Sequence, residues 1–228
     1  MIYSEYPVEA ASTLMRRVFA WMAIGLIITG LTAFGVNFFP GVQQVIITNP
    51  ILFFILCIAQ IGLVIYLSAG LRSMSAETAI FSYILYALLT GTTLSVIFIA
   101  FTLPSIATTF FVCAGMFAAM ALYGALTKTD LSGMGSYLLM GLFGIILASI
   151  INLFMRNAGA DFIISIAGVV IFTLLTAYDI QQIKRLGLTM ISNEEDTTKV
   201  SIICALRLYL DFVNLFLYLL RFFGQKKN

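Results

Sequence analysis

Three ionisable residues, Asp179, Arg207 and Asp211, stand in stretches that are otherwise almost wholly apolar. Carboxylates in such surroundings can do two kinds of chemistry. They can take up and release a proton, and once deprotonated they offer the hard oxygen ligands that suit Ca²⁺. Histidine, the usual proton-exchanging side chain near neutral pH, is absent from the 228 residues, so any pH response falls to carboxylates.

Spacing makes the two aspartates candidate partners. If the helix carrying Asp179 runs to Gly187, Asp179 lies about 12 Å from its end at the α-helical rise. If the next helix starts at Ser201, Asp211 lies about 15 Å along it. The connection is short and the helices antiparallel, so the carboxylates can meet within a turn of each other. Two carboxylates in a poorly solvated site share one proton rather than both staying ionised, and such a pair can titrate near neutral pH. A second interpretation stands beside this one. Asp179 is then an interfacial helix-end residue, and Asp211 is neutralised by Arg207, which is placed i, i+4 on the same helical face. Spacing alone leaves both open. Tyr178, Tyr209 and Asn214 supply hydrogen-bonding groups nearby.

The elements that position these residues follow from composition. The chain is 61% hydrophobic and 10% charged, against about 25% charged for an ordinary soluble domain. This excludes a soluble enzyme, a nucleic-acid binder and a disordered chain. A helix needs about 20 apolar residues to cross a bilayer, and the uncharged runs 18–71 and 78–127 are each long enough for two. Pro40, Gly41, Asn49 and Pro50 divide the first run; Thr102, Pro104 and Ser105 divide the second. The expected spans are near 18–39, 51–70, 79–101, 106–126 and 131–155, then one from Phe162 past Tyr178, and one over 201–223. The run from Val18 to Phe39 is longer than a signal-peptide core of roughly 7–15 residues and is read as the first span. The apolar runs are continuous rather than alternating, so the fold class is an all-α membrane protein of seven helices and not a β-barrel. Residues 1–17 read as a cytoplasmic amino-terminal tail, 18–223 as the membrane domain, and 224–228 as a short basic tail.

Arg16, Arg17, Arg72, Lys128, Lys184, Arg185 and Lys199 fall on one side if the spans alternate, which makes the amino terminus cytoplasmic. Lys226 and Lys227 fall on the other side after seven crossings. A last segment that enters and returns would move them, but the run is long enough to cross, and seven crossings are expected. Ala114/Ala118, Gly115/Ala119 and Gly144/Ala148 have the four-residue spacing of tight helix packing. Asn193-Glu194-Glu195-Asp196 reads as a solvated turn. Cys57, Cys113 and Cys204 lie in apolar stretches without metal-binding spacing and read as small buried hydrophobes. No cofactor is expected.

The segment Leu208-Tyr209-Leu210-Asp211-Phe212-Val213-Asn214-Leu215-Phe216 resembles the carboxyl-terminal signature of the Bax inhibitor-1, or transmembrane Bax inhibitor motif, family. Thr176-Ala177-Tyr178-Asp179-Ile180-Gln181 resembles its companion motif on the preceding helix. With Leu131-Ser132-Gly133, the chain is most similar to a bacterial inner-membrane branch. The resemblance implies seven helices with the last central and wrapped by the other six. It implies a pH-sensitive Ca²⁺ leak, with Asp179 and Asp211 as the sensor and cation site and Arg72 as the nearest match to a latching arginine. Arg207 departs from the small or polar residue usual in the family, and a cation one turn from Asp211 shifts the proton threshold of the pair. Some relatives are thought to regulate a membrane-bound AAA protease, so a membrane-embedded regulator of other membrane proteins is the alternative function. An enzyme is not expected, since no nucleophile motif or phosphate loop is present.

Overall fold

A computed structural model describes residues 6–70, 73–189 and 194–227. Among them, nine helices occur in the order α1 (Tyr6–Val36), α2 (Pro40–Thr48), α3 (Pro50–Ala69), α4 (Ala76–Leu94), α5 (Ile97–Ala100), α6 (Leu103–Leu126), α7 (Met134–Met155), α8 (Ala158–Thr189) and α9 (Glu194–Phe223). Seven of the spans are long and apolar enough to cross a membrane, with α4 and α5 forming one of them. The chain is an all-α polytopic membrane protein.

The residues that start and stop these helices are conventional. Ser75 caps α4 by accepting a hydrogen bond from the Thr78 amide, and Asn49 caps α3 through the Leu52 amide. Pro40 and Pro50 open α2 and α3, where a missing backbone N–H costs nothing. Residues 40–48, expected as a loop, are therefore helical. The expected span over 79–101 breaks at Ser95–Val96, where the Ser95 hydroxyl donates to the Thr92 carbonyl at 2.7 Å. The amino-terminal segment is helical from Tyr6, so α1 begins well before the apolar run. Glu194, Glu195 and Asp196, expected in a turn, form the first turn of α9, where acidic side chains favour the helix dipole. Asn193 lies outside the described residues.

Two compact units make up the fold. The first is formed by α1 to α5 and by α9 as far as Tyr209; the second by α6, α7, α8 as far as Leu186, and α9 from Leu210. In the first unit α1 lies along α4, and α3 packs on α4. Its centre is polar as well as aromatic. Tyr209 shares a 2.6 Å hydrogen bond with Thr29, whose hydroxyl also reaches the Ala87 carbonyl at 3.0 Å. Tyr83 and Tyr86 meet the Tyr209 ring edge-on. The hydroxyl partners matter because a lone polar group buried in a membrane interior is costly.

The last helix is the most buried of the seven spans. In its most apolar window 72% of residues are buried, against 6% to 33% for the other six spans. Arg221 pairs with Asp161 at 2.8 Å and Phe222 packs on Phe162, so the end of α9 lies beside the start of α8. Helix α9 is unbroken and antiparallel to α8, and it does not turn back on itself.

The expected tight packing at Gly115 and Gly144 is corrected. A Cβ added at Gly115 or Gly144 would meet nothing within 4 Å, and both positions face outward. Close approach occurs instead at Gly124 against the Ala177 backbone, Gly135 against Tyr178 and Gly168 against Tyr218. Small residues permit close packing only where a neighbour is present, and the four-residue spacing does not report which face has one.

Candidate functional site

Asp179 lies on α8, part-buried, and Asp211 lies on α9, 5% exposed. Both belong to the second unit. Their relative position follows from the helix register. Phe172 of α8 and Tyr218 of α9 are stacked, with ring centroids 5.8 Å apart and planes at 26°. Asp179 follows Phe172 by one heptad, and Asp211 precedes Tyr218 by one heptad, about 10 Å in each case. A heptad returns a helix to nearly the same face, drifting by about 20°. In an antiparallel pair the two steps run in the same direction. Asp179 and Asp211 are thus at one depth, on the facing sides of α8 and α9.

Helix α6 backs this level of α9. The Cys113 thiol donates to the Phe212 carbonyl at 3.6 Å, and Phe110 and Phe117 pack on Phe212. Asn214, one turn from Asp211, donates back to the Leu210 carbonyl at 2.8 Å. Tyr178 packs on Gly135 of α7, and Tyr209 belongs to the first unit. Arg207 is exposed although its neighbours Leu206 and Leu208 are 1% and 0% exposed. Among the described residues the ion pairs are Arg17–Glu194, Arg185–Asp130, Lys199–Asp196 and Arg221–Asp161; Arg207 takes part in none of these. Arg72 lies outside the described residues.

The residues that hold α8 at the Asp179 level escape a reading of charge and hydropathy. Gln181, 5% exposed, clamps the α6–α7 loop: its Oε1 accepts from the Leu131 amide and its Nε2 donates to the Thr129 carbonyl, both at 2.8 Å. Gln182 and Arg185 both donate to the Ser132 hydroxyl, and Lys184 caps the end of α6 at the Ala125 carbonyl. Arg185 also pairs with Asp130 at 2.7 Å. The sequence signal for this clamp is a pair of amides, Gln181 and Gln182, two and three residues after Asp179, the first of them inside the family-like motif.

Asp130 lies in the loop, outside the spans. The Ser132 backbone N–H holds its carboxyl below the usual range, helped by the Ser132 hydroxyl and by Arg185. A carboxyl lowered by folding contributes stability above its unfolded value and loses it as pH falls through the folded one. The clamp therefore stays intact at neutral and mildly acidic pH. Hydrogen exchange at the Leu131 amide is expected to remain protected between about pH 8 and about pH 5, and to lose protection only below about pH 4. Asp130→Asn should weaken that protection across the whole range. Loss of protection near neutral pH in the wild type would show that the loop itself responds to pH.

The fold and this region define a class: a seven-helix membrane protein whose buried last helix carries a carboxylate level with one on its antiparallel neighbour. Residues 11–228 match the family model described as "Inhibitor of apoptosis-promoting Bax1". The chain belongs to this Bax inhibitor family. It is 46% identical over 214 residues to an uncharacterized protein of Borreliella burgdorferi, covering 94% of this chain and 92% of that protein. It is 44% identical to the inner membrane protein YbhL of Escherichia coli K12, covering 97% and 95%. Uncharacterized protein RP147 of Rickettsia prowazekii is 39% identical, covering 96% and 92%.

Proposed function

We propose that the protein is a pH-sensitive cation leak of the bacterial inner membrane, with Ca²⁺ as the ion best suited to its ligands. Asp179 and Asp211 are the proton and cation site. The observation that carries this reading is the register set by Phe172 and Tyr218, which brings two carboxylates to one level on facing helices. In an apolar setting the pair shares a proton, and giving it up leaves two hard oxygen donors for a divalent cation. Among the described residues no three His, Cys, Asp or Glu side chains gather as a metal centre. Ca²⁺ takes 6–8 oxygen ligands, so a two-carboxylate site suits passage better than storage. The protein carries the ion as cargo and needs no resident cofactor.

Placement in the inner membrane follows the name of the E. coli relative. The gathering of Arg16, Arg17, Arg72, Lys128, Lys184, Arg185 and Lys199 on one side of alternating spans supports a cytoplasmic amino terminus.

The test is Ca²⁺ flux into proteoliposomes across pH, comparing wild type with Asp179→Asn and Asp211→Asn. Wild-type flux is expected to depend on pH, and each variant is expected to lose that dependence. Flux indifferent to pH and to both substitutions overturns the proposal. No flux at any pH, with a protease co-purifying, favours the regulator of a membrane-bound protease instead.

A further inference from the structure

On one side of the two aspartates an aromatic ring of α9 is seated on the bare backbone of α8 at a glycine. We propose that Tyr218 is the plug that closes the cation path toward the carboxyl-terminal side, with Gly168 as its seat and Phe172 as its backstop. This rests on the reading of Asp179 and Asp211 as the cation site, and it adds the residue that stops the ion beyond them.

Gly168 is buried, and a Cβ placed on it would lie 2.5 to 2.6 Å from Cγ, Cδ1 and Cδ2 of Tyr218. The root of the ring therefore occupies the volume that any other side chain on α8 would take. Phe172, one turn further along α8 and 4% exposed, stacks on the same ring. Tyr218 is thus held between two turns of α8, one heptad beyond Asp211. Farther out, Phe162 meets Phe222 at 5.3 Å, and Asp161 pairs with Arg221 at 2.8 Å, fastening the helix ends.

The α8–α9 seam on the carboxyl-terminal side of the aspartates is poor in charge. Between Asp161 and Asp179 on α8, and between Asp211 and Arg221 on α9, there is no charged residue. Apart from tyrosines, the oxygen-bearing side chains between the two pairs of charges are Asn214 on α9 and Thr176, Thr173 and Ser165 on α8, with Thr176 and Ser165 already bonded to their own backbone. The next carboxylate for a divalent cation in this direction is Asp161, about 27 Å along α8 at the helical rise. Stripping oxygen ligands from such an ion without replacing them is prohibitive. Toward the other end, α8 carries two amides, Gln181 and Gln182, and two cations, Lys184 and Arg185, all bonded to the α6–α7 loop or the end of α6. The seam on the carboxyl-terminal side of the aspartates is shut by Tyr218.

Two measurements test this. In proteoliposomes loaded with a Ca²⁺ indicator, Tyr218→Ala should raise flux about tenfold or more under conditions where the wild type is nearly closed. Tyr218→Phe should leave flux at the wild-type level, because the ring stays on its seat. Gly168→Ala, which displaces the ring, should act like Tyr218→Ala. The second measurement does not depend on calcium passage. With Cys57, Cys113 and Cys204 replaced by alanine, Asn214→Cys is treated with a membrane-impermeant thiol reagent from the carboxyl-terminal side. Its labelling should be slow with Tyr218 present and about tenfold faster or more with Tyr218→Ala. Equal labelling rates overturn the plug, whatever the flux. Labelling that depends on Tyr218, together with flux indifferent to Asp179→Asn and Asp211→Asn, upholds the plug and overturns the cation site.

Discussion

Gly124→Val is expected to leave little folded protein, and Gly124→Ala to lower the thermal midpoint in detergent by several degrees. A Cβ at position 124 would lie 2.9 Å from the Ala177 Cα and 3.0 Å from its carbonyl carbon, and closer still to its carbonyl oxygen. These are backbone atoms of α8, two residues before Asp179, and they cannot swing aside as a side-chain tip can. Overpacking of a well-filled site costs about 1–3 kcal/mol, and a branched side chain against backbone sits at or beyond the upper end. Gly115→Ala and Gly144→Ala supply the control. Both positions have open space around a Cβ, and alanine favours a helix over glycine by about 1 kcal/mol, so these variants should be as stable as the wild type or slightly more so. Equal midpoints for Gly124→Ala and Gly115→Ala would contradict the close approach of α6 to α8.

The same glycines show where the sequence was legible. Spans were readable because charge is nearly excluded from them: the uncharged runs 18–71 and 78–127 contain α2, α3, α5 and α6 whole and all of α4 beyond its first two residues. Prolines misled the reading of one element, since Pro40 and Pro50 mark breaks in an apolar run yet stand at helix starts, where proline is favoured. The acidic run at Glu194–Asp196 looked like a solvated turn for a related reason: local polarity does not distinguish a turn from the first turn of a helix. Helix faces were legible only in part. Gly115 and Gly124 stand on one helix and are chemically identical, but one faces outward and the other sits on the Ala177 backbone. Asp179 and Asp211 stood out because each is an acid in an apolar run. Gln181, Ser132 and the Gly168–Tyr218 seat did not, because their meaning lies in contacts between residues about fifty apart in the chain.

Asp211→Asn is expected to leave the protein at least as stable as the wild type while altering its pH-dependent flux, and the sign of the stability change separates function from structure. An aspartate at the centre of a membrane helix costs about 2.5–3.5 kcal/mol on insertion scales, and asparagine keeps its shape and one oxygen acceptor. If Asp211 were the buried half of an ion pair with Arg207, its removal would strand a buried cation and cost about 3–5 kcal/mol. Arg207 is exposed, between two fully covered leucines, and joins none of the ion pairs named above. Its replacement by alanine should therefore change stability by no more than about 0.5 kcal/mol. Unfolding of both variants in lipid bicelles is the measurement. A neutral or stabilising Asp211→Asn with a near-silent Arg207→Ala fits a carboxylate kept for what it binds. Strong destabilisation by both substitutions would make the two residues a structural pair, and the cation site would have to be sought elsewhere.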